Sequence, residues 1–93
     1  MERVTFEVHG RVQGVYFRKY TKETAERHNI HGWCRNTNRN TVEGEIEGKK
    51  EKVDEMLQWL CHKGSPKCQI SRCVVKDRNE VETGVYDNFS VRK

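Results

Sequence analysis

Apolar and polar residues alternate at the start of the chain, where every second position from Val4 to Val8 is apolar. This period of two is typical of a β-strand with one buried face. A glycine-containing interruption follows, and aromatic or small residues then recur every three or four positions from Phe17 onward. That spacing predicts an amphipathic helix over Phe17–Arg27, directly after a strand over Arg3–Val8.

The next part of the chain predicts a hairpin. An extended run begins at Trp33 and reaches Asn36-Thr37, where residues 38–40 have the composition of a turn. Alternation of apolar and polar positions then resumes over Val42–Ile46. Two antiparallel strands joined by residues 38–40 account for this pattern.

The clearest helical pattern follows the hairpin, because apolar residues recur at i, i+3, i+4, i+7 and i+8 between Lys50 and His62. Gly64-Ser65-Pro66 predicts the end of this helix, with the glycine as a left-handed cap. Residues 70–75 are rich in β-forming side chains, and 77–84 have the polar composition of a connection. Residues 85–91 predict a closing strand.

The predicted order β-α-β-β-α-β, with a possible extra short strand near the end, is that of the split βαβ or ferredoxin-like α+β fold. We expect an antiparallel sheet with both helices on one face. At 93 residues the chain has the length of one domain, 1–93, with one hydrophobic core. Because this architecture carries RNA-binding, metal-binding and enzymatic proteins alike, function has to be inferred from the site.

Charge and hydropathy narrow the class of protein. Lys and Arg total 18 against 14 Asp and Glu, and the resulting net charge of +4 favours anionic partners without naming one. The chain contains no run of about five like charges, so a disordered nucleic-acid-binding arm is not indicated. No stretch approaches the roughly 18 apolar residues that span a bilayer, and residues 1–6 do not resemble a signal peptide. We therefore expect a cytoplasmic protein with no membrane partner.

The cysteines and histidines show no metal-ligand spacing, and no Cys-x-x-Cys pair occurs. In a chain without an export signal, reduced structural thiols are favoured over a disulfide framework. We therefore expect no bound metal and four thiols. The cysteines are Cys34, Cys61, Cys68 and Cys73.

The segment Gly10–Arg18 has the composition of an anion-binding loop, with glycines at 10 and 14. Glycines let successive backbone N–H groups turn toward one point, and a following helix N-terminus adds unpaired donors. Arg18 can add a bidentate guanidinium. The segment matches neither the phosphate loop of nucleotide triphosphatases nor the dinucleotide-binding fingerprint. From the residues alone, a small-anion site and a plain strand-to-helix turn are both open.

Asn36, at the end of the second predicted strand, is the other candidate for chemistry. Its side-chain amide both donates and accepts hydrogen bonds, so it can hold a water molecule beside an oxyanion. Taken alone, it is equally well explained as a turn asparagine before the hairpin.

Together these segments resemble the acylphosphatase family in residues, order and spacing over nearly the whole chain. The motifs Gly10–Arg18 and Gly32–Thr37 are jointly specific for this family. Asn40 stands where the family commonly has glycine, a change that a turn accepts because asparagine tolerates positive φ. The motifs are Gly10-Arg-Val-Gln-Gly-Val-Tyr-Phe-Arg18, Gly32-Trp-Cys-Arg-Asn-Thr37, Thr41-Val-Glu-Gly44, Gly64-Ser-Pro66 and Tyr86-Asp-Asn-Phe89.

The resemblance implies a hydrolase without cofactor or metal that cleaves the carboxyl–phosphate bond of acyl phosphates to a carboxylate and inorganic phosphate. It implies that Arg18 is the phosphate-binding catalytic arginine and that Asn36 orients the attacking water. It also implies a small-molecule acyl phosphate as partner, with phosphate as product and inhibitor. The aromatic signature of an RNA-binding module is missing, so we expect no nucleic acid, and one core without an evident apolar surface stripe is most simply a monomer. The implied phosphate-binding residues are Arg11, Val12, Gln13, Gly14, Val15, Tyr16 and Arg18.

Two alternatives stay open from the sequence. The first is an RNA-binding module, because the same topology with a basic surface can display stacking aromatic residues. Acidic residues in 42–48 stand where such a module would have basic and aromatic ones. The second is a non-catalytic domain that binds an anion or a partner protein. The sequence does not select one acyl phosphate.

Overall fold

The computed structural model describes residues 1–92 of the chain. Its elements are β1 (Glu2–Arg11), α1 (Phe17–Arg27), β2 (His31–Asn36), β3 (Val42–Gly48), α2 (Lys50–Gln58), β4 (Gln69–Glu80) and β5 (Phe89–Arg92). A π-helical turn, Trp59–Lys63, continues α2 without a break. Within residues 1–92, neither helix combines the length and the apolar content that crossing a bilayer requires.

The five strands form one sheet in the order β4-β1-β3-β2-β5. Strand β1 pairs antiparallel with β3 and β4, and β2 pairs antiparallel with β3. The short fifth strand pairs in parallel with β2, so the sheet is mixed and not wholly antiparallel as predicted. The ferredoxin-like α+β fold and its extra strand are confirmed. The parallel pairing arises because the chain crosses from β4, at one edge, to β5, at the opposite edge.

Both helices pack on the same face of the sheet, α1 against β2 and β5, and α2 against β1 and β3. The core lies between the helices and the sheet. At its end nearest the β1–α1 loop, the rings of Phe17 and Trp59 lie 5.6 Å apart, which fixes the start of α1 against the end of α2. The fully buried apolar side chains include Val4, Phe6, Val8, Ala25, Cys34, Val42, Ile46, Val53, Met56 and Leu60.

The end of the chain differs from the sequence prediction. Residues predicted as a polar connection belong in part to β4, because Glu2 pairs with Glu80 and Thr5 with Asp77. This half of β4 is exposed, so it has no apolar alternation to mark it as a strand. Strand β5 begins at Phe89 and not near Val85, whose N–H donates to the carboxylate of Glu47 instead of a neighbouring strand.

Cys61, in the π-helical turn, and Cys73, on β4, form a disulfide with their Cα atoms 5.1 Å apart. The expectation of four reduced thiols is therefore wrong for this pair, while Cys34 and Cys68 are free.

Gly64, which follows the π-helical turn, has φ 64° and ψ −162°. The positive φ agrees with the prediction, but the residue is extended and does not form a left-handed helical cap.

Candidate functional site

The segment 12–16, called the cradle loop below, joins β1 to α1 through two residues of positive φ. Gly14 has φ 73°, and Tyr16, the residue before α1, has φ 59°. A left-handed conformation costs a non-glycine residue about 1–2 kcal/mol, and such strain is concentrated at functional sites. Gly10, just before the loop, has φ 122° and lies so close to the β4 backbone that a Cβ atom would clash with it.

The backbone donors at the end of the cradle loop have no acceptor within residues 1–92. The Val12 N–H donates to the Gly10 carbonyl at 3.1 Å, and the Tyr20 N–H makes the first helical bond, to Tyr16, also at 3.1 Å. Between them, over the described part of the chain, the N–H groups from Gly14 to Arg18 donate to no protein acceptor. Consecutive unpaired donors at the positive end of a helix can bind an anion.

Arg18 lies in the first turn of α1 and is half-buried. Within residues 1–92, its guanidinium takes part in none of the ion pairs. Burial raises the pKa of the Cys34 thiol on β2 to about 12, and the positive charge of Arg18 acts in the opposite direction. The guanidinium therefore lies near the helix-covered face of β2, and the Cys34 thiol is protonated at neutral pH.

Asn36 is the last residue of β2. It lies two positions after Cys34, so both side chains point to the helix-covered face of the sheet. Its Oδ1 atom is buried and has no hydrogen-bond partner among the described residues. Leaving a buried acceptor unpaired costs about 1–3 kcal/mol, so this atom is a candidate to accept a hydrogen bond from a bound molecule.

Gln13 connects the cradle loop to the hairpin that follows Asn36. Its Nε2 donates to the carbonyl oxygens of Thr37 and Thr41, each at 2.9 Å. The hydroxyl groups of these two threonines also hydrogen-bond to each other at 2.6 Å. The sequence motif predicts only that the backbone of Gln13 belongs to the phosphate-binding loop. Its side-chain role depends on contacts 24 and 28 residues away, for which the motif gives no signal.

The hairpin is held in turn by Glu7, a buried carboxylate on β1. Hydrogen bonds from Thr41, then Lys76 and Arg39, lower its pKa to about 2 against the partial opposition of burial. Lys76 lies 2.9 Å and Arg39 3.1 Å from the carboxylate. Glu7 is therefore ionised at any physiological pH and anchors the Thr37–Thr41 turn to β1. No motif in the sequence indicates this role.

The structure brings some of the predicted site residues together and separates others. Arg18, Gly14 and Tyr16 line one open pocket of about 770 Å³. Arg11 is exposed and lines a neighbouring pocket with Gly14, Val15 and Tyr16. Asn36 lines a separate depression of about 260 Å³ on the hairpin. In residues 1–92, no group of three or more His, Cys, Asp or Glu side chains could hold a metal ion.

Comparisons with known proteins identify relatives of the chain. The family model described as Acylphosphatase matches residues 4–91. The chain is 43% identical to Acylphosphatase-1 of Gallus gallus over 97% of this chain and 91% of that protein. It is 40% identical to Acylphosphatase-2 of Homo sapiens, with coverages of 99% and 93%. The crystal structure of acylphosphatase from Bacillus subtilis superimposes with TM-score 0.91 and 27% identity, covering 100% of both chains. The chain belongs to the acylphosphatase family.

Proposed function

We propose that the chain hydrolyses the carboxyl–phosphate bond of acyl phosphates, with Arg18 and the cradle loop binding the phosphoryl group and Asn36 orienting water. Family membership over nearly the full length supports the hydrolase activity. The observation that carries the assignment of roles is the run of N–H donors from Gly14 to Arg18, which have no acceptor within residues 1–92. The run ends at a guanidinium that pairs with no carboxylate of those residues.

The reaction asks the protein mainly to position groups and to stabilise negative charge. The transferred phosphoryl group passes through a loose transition state, with charge spread over its three equatorial oxygens. Backbone N–H groups from Gly14 to Arg18 and the Arg18 guanidinium would hydrogen-bond these oxygens. Because the donors are already fixed by the loop and by α1, little reorganisation is needed when the charge develops.

Asn36 would hold the attacking water. Its buried Oδ1 accepts a hydrogen bond from the water, which leaves an oxygen lone pair of the water available to phosphorus. An amide cannot take a full proton, but a loose transition state requires little deprotonation of the water before attack. The leaving group is a carboxylate, which is stable as an anion, so its departure needs no general acid. The protonated Cys34 thiol is not a nucleophile, in keeping with direct attack by water.

The RNA-binding alternative is not favoured. Such a module would use the open face of the sheet, opposite the helices. That face carries Glu43 and Glu45 on β3, where they pair with Arg35 and hydrogen-bond to Thr5, respectively. Carboxylates in the centre of the face would repel a phosphate backbone.

The test is hydrolysis of benzoyl phosphate in the presence of EDTA. We expect turnover by the unmodified chain and a loss of at least about 100-fold in kcat/KM for Arg18→Gln, as for removal of one oxyanion donor elsewhere. Arg27→Gln, which changes an exposed arginine in the last turn of the same helix, is the matched control and should retain activity. No turnover by the folded, unmodified chain would reject the function, and full activity of Arg18→Gln would reject its role.

The same proposal includes the remaining expectations from the sequence. Inorganic phosphate should inhibit in competition with substrate, because it fits the same donors. We also propose a single domain over residues 1–93, acting as a monomer in the cytoplasm. Size-exclusion chromatography with light scattering tests the monomer.

A further inference from the structure

The pocket that contains Arg18 continues beyond the cradle loop along the exposed face of α1. Gly14, Tyr16 and Arg18 line one end of it, and Lys19 and Lys22 line the part that follows. Val91, on the edge strand β5, lines the opposite wall. A molecule whose phosphoryl group is bound at Arg18 would therefore extend its acyl group between α1 and β5.

The walls nearest the phosphate site are apolar and uncovered. The Tyr16 side chain is 73% exposed and that of Val91 is 37% exposed. An acyl carbon skeleton lying against these two side chains would remove apolar surface from water, at about 25 cal/mol per Å². The carbon part of an acyl group thus has a place beside the cradle loop.

The charges along the pocket are not evenly distributed. Residues 18 and 22 are four apart on α1, so their side chains lie on one face, about 6 Å apart along the axis. Lys19 forms no ion pair among the described residues. The acidic lining residues, Glu23 and Glu26, come later in the helix, about 7.5 and 12 Å from Arg18 along the axis. The end nearest the phosphate is therefore basic.

Lys22 is available to a ligand although it has a partner. Its Nζ lies 3.7 Å from the Glu26 carboxylate, and the two side chains are 46% and 56% exposed. An exposed pair of this kind contributes little to stability, so a bound anion can replace Glu26 at small cost. Two ammonium groups are thus available to an anion in the pocket that Arg18 lines.

We propose that Lys19 and Lys22 bind a second anionic group on the acyl moiety. The preferred substrates are then acyl phosphates whose acyl group carries its own carboxylate or phosphate. Neutral acyl phosphates are cleaved less efficiently. This inference rests on the proposed function, because the second group is placed by binding of the phosphoryl group at Arg18.

The test compares kcat/KM for benzoyl phosphate and 4-carboxybenzoyl phosphate. We expect the unmodified chain to favour the carboxylated substrate by about fivefold, the size of an exposed ion-pair effect, and the preference to fall as KCl is raised. The Lys19→Gln/Lys22→Gln variant should bring the ratio close to one. Lys50→Gln/Lys52→Gln removes the same charge from α2, away from the pocket, and should leave the ratio as in the unmodified chain.

Three outcomes would overturn the inference. Equal kcat/KM for the two substrates in the unmodified chain overturns it alone, as does an unchanged ratio in Lys19→Gln/Lys22→Gln. An equal fall of the ratio in the α2 control also overturns it, because the effect would then be one of net charge. If the unmodified chain hydrolyses neither substrate, the proposed function and this inference both fail.

Discussion

The side-chain amide of Gln13 donates a hydrogen bond to the carbonyl oxygen of Thr37 across 2.9 Å, and so joins the two halves of the site. Gln13 belongs to the cradle loop, and Thr37 follows Asn36 directly in the chain. This bond and the one to the Thr41 carbonyl connect the loop directly to the hairpin. With the proposed roles, the position of the Asn36 amide relative to the cradle loop therefore depends on Gln13.

Gln13→Met should lower kcat more than it raises KM. Methionine has a similar length but cannot donate to the carbonyls of Thr37 and Thr41, so the hairpin is no longer held against the loop. We expect kcat to fall about 10- to 100-fold, because misplacement of about 1 Å can cost that much. Gln58→Met, at an exposed position on α2, is the control. Unchanged kcat in Gln13→Met would show that the two bonds do not position the site.

Asn36→Ala should reduce activity without reducing stability. The change removes a buried oxygen that makes no hydrogen bond within residues 1–92, so the free energy of unfolding should stay the same or rise. We expect kcat to fall about 100-fold, as for loss of one transition-state contact, while inhibition by phosphate changes little. Urea unfolding and steady-state kinetics measure the two effects. Asn38→Ala, in the exposed turn, should leave both unchanged, and a large loss of phosphate inhibition in Asn36→Ala would contradict the assigned role.

Glu7→Gln should make stability less dependent on acid pH. The carboxyl group has an ordinary pKa of 4.5 and a pKa of about 2 in the folded chain, so it stabilises the fold fully above pH 4.5. That contribution is lost as the pH falls from 4.5 toward 2. At pH 7 we expect Glu7→Gln to lower the free energy of unfolding by about 1.5–3 kcal/mol, the range for hydrogen bonds to a charged group.

The measurement for Glu7 is urea unfolding of both chains at pH 7, 5, 3 and 2. The difference between unmodified chain and variant should be constant from pH 7 to 5 and shrink below. Glu82→Gln, on the exposed segment before β5, should show no such difference. A difference that is the same at pH 7 and pH 2 would mean that ionisation of Glu7 does not stabilise the hairpin.

Reduction of the Cys61–Cys73 disulfide should lower the free energy of unfolding by about 3 kcal/mol, the chain-entropy value for a loop of this length. The two residues are 12 apart in sequence. Unfolding in urea with and without dithiothreitol measures the effect, and Cys61→Ala/Cys73→Ala should not respond to the reductant. Without reductant, thiol titration of the denatured chain should detect only Cys34 and Cys68. Four thiols before reduction would contradict the pairing.

Much of the fold follows from the sequence, because its helices and inner strands have buried faces that leave a periodic pattern. The predicted bounds of α1, Phe17–Arg27, agree with the structure. The hydrophobic pattern does not predict a strand whose side chains are exposed. The outer half of β4 is exposed, and its strand conformation depends on pairing with Glu2–Thr5 of β1, at the other end of the chain.

Some features of the candidate site could likewise be predicted from the sequence, and others could not. The motif around Arg18 and the position of Asn36 could be found in the sequence, since they lie in short segments of characteristic composition. The anchoring of the hairpin by Glu7 and the disulfide could not, because each joins residues that only the tertiary fold brings together. The Oδ1 atom of Asn36 is likewise unpaired only because of what surrounds it, which no local pattern records.

The exposed end of β4 also affects how copies of the chain meet. This twelve-residue strand lies at one edge of the sheet, with backbone groups that another strand could pair with. Its outer half carries charged side chains at nearly every position. Its pairing with β1 also shifts register opposite Thr5–Phe6 and opposite His9–Gly10, so the strand is irregular. An incoming strand would have to strip water from these charges and follow an irregular edge. The longest open edge of the molecule is thereby protected against aggregation in the folded state. The charged side chains are Lys76, Asp77, Arg78 and Glu80.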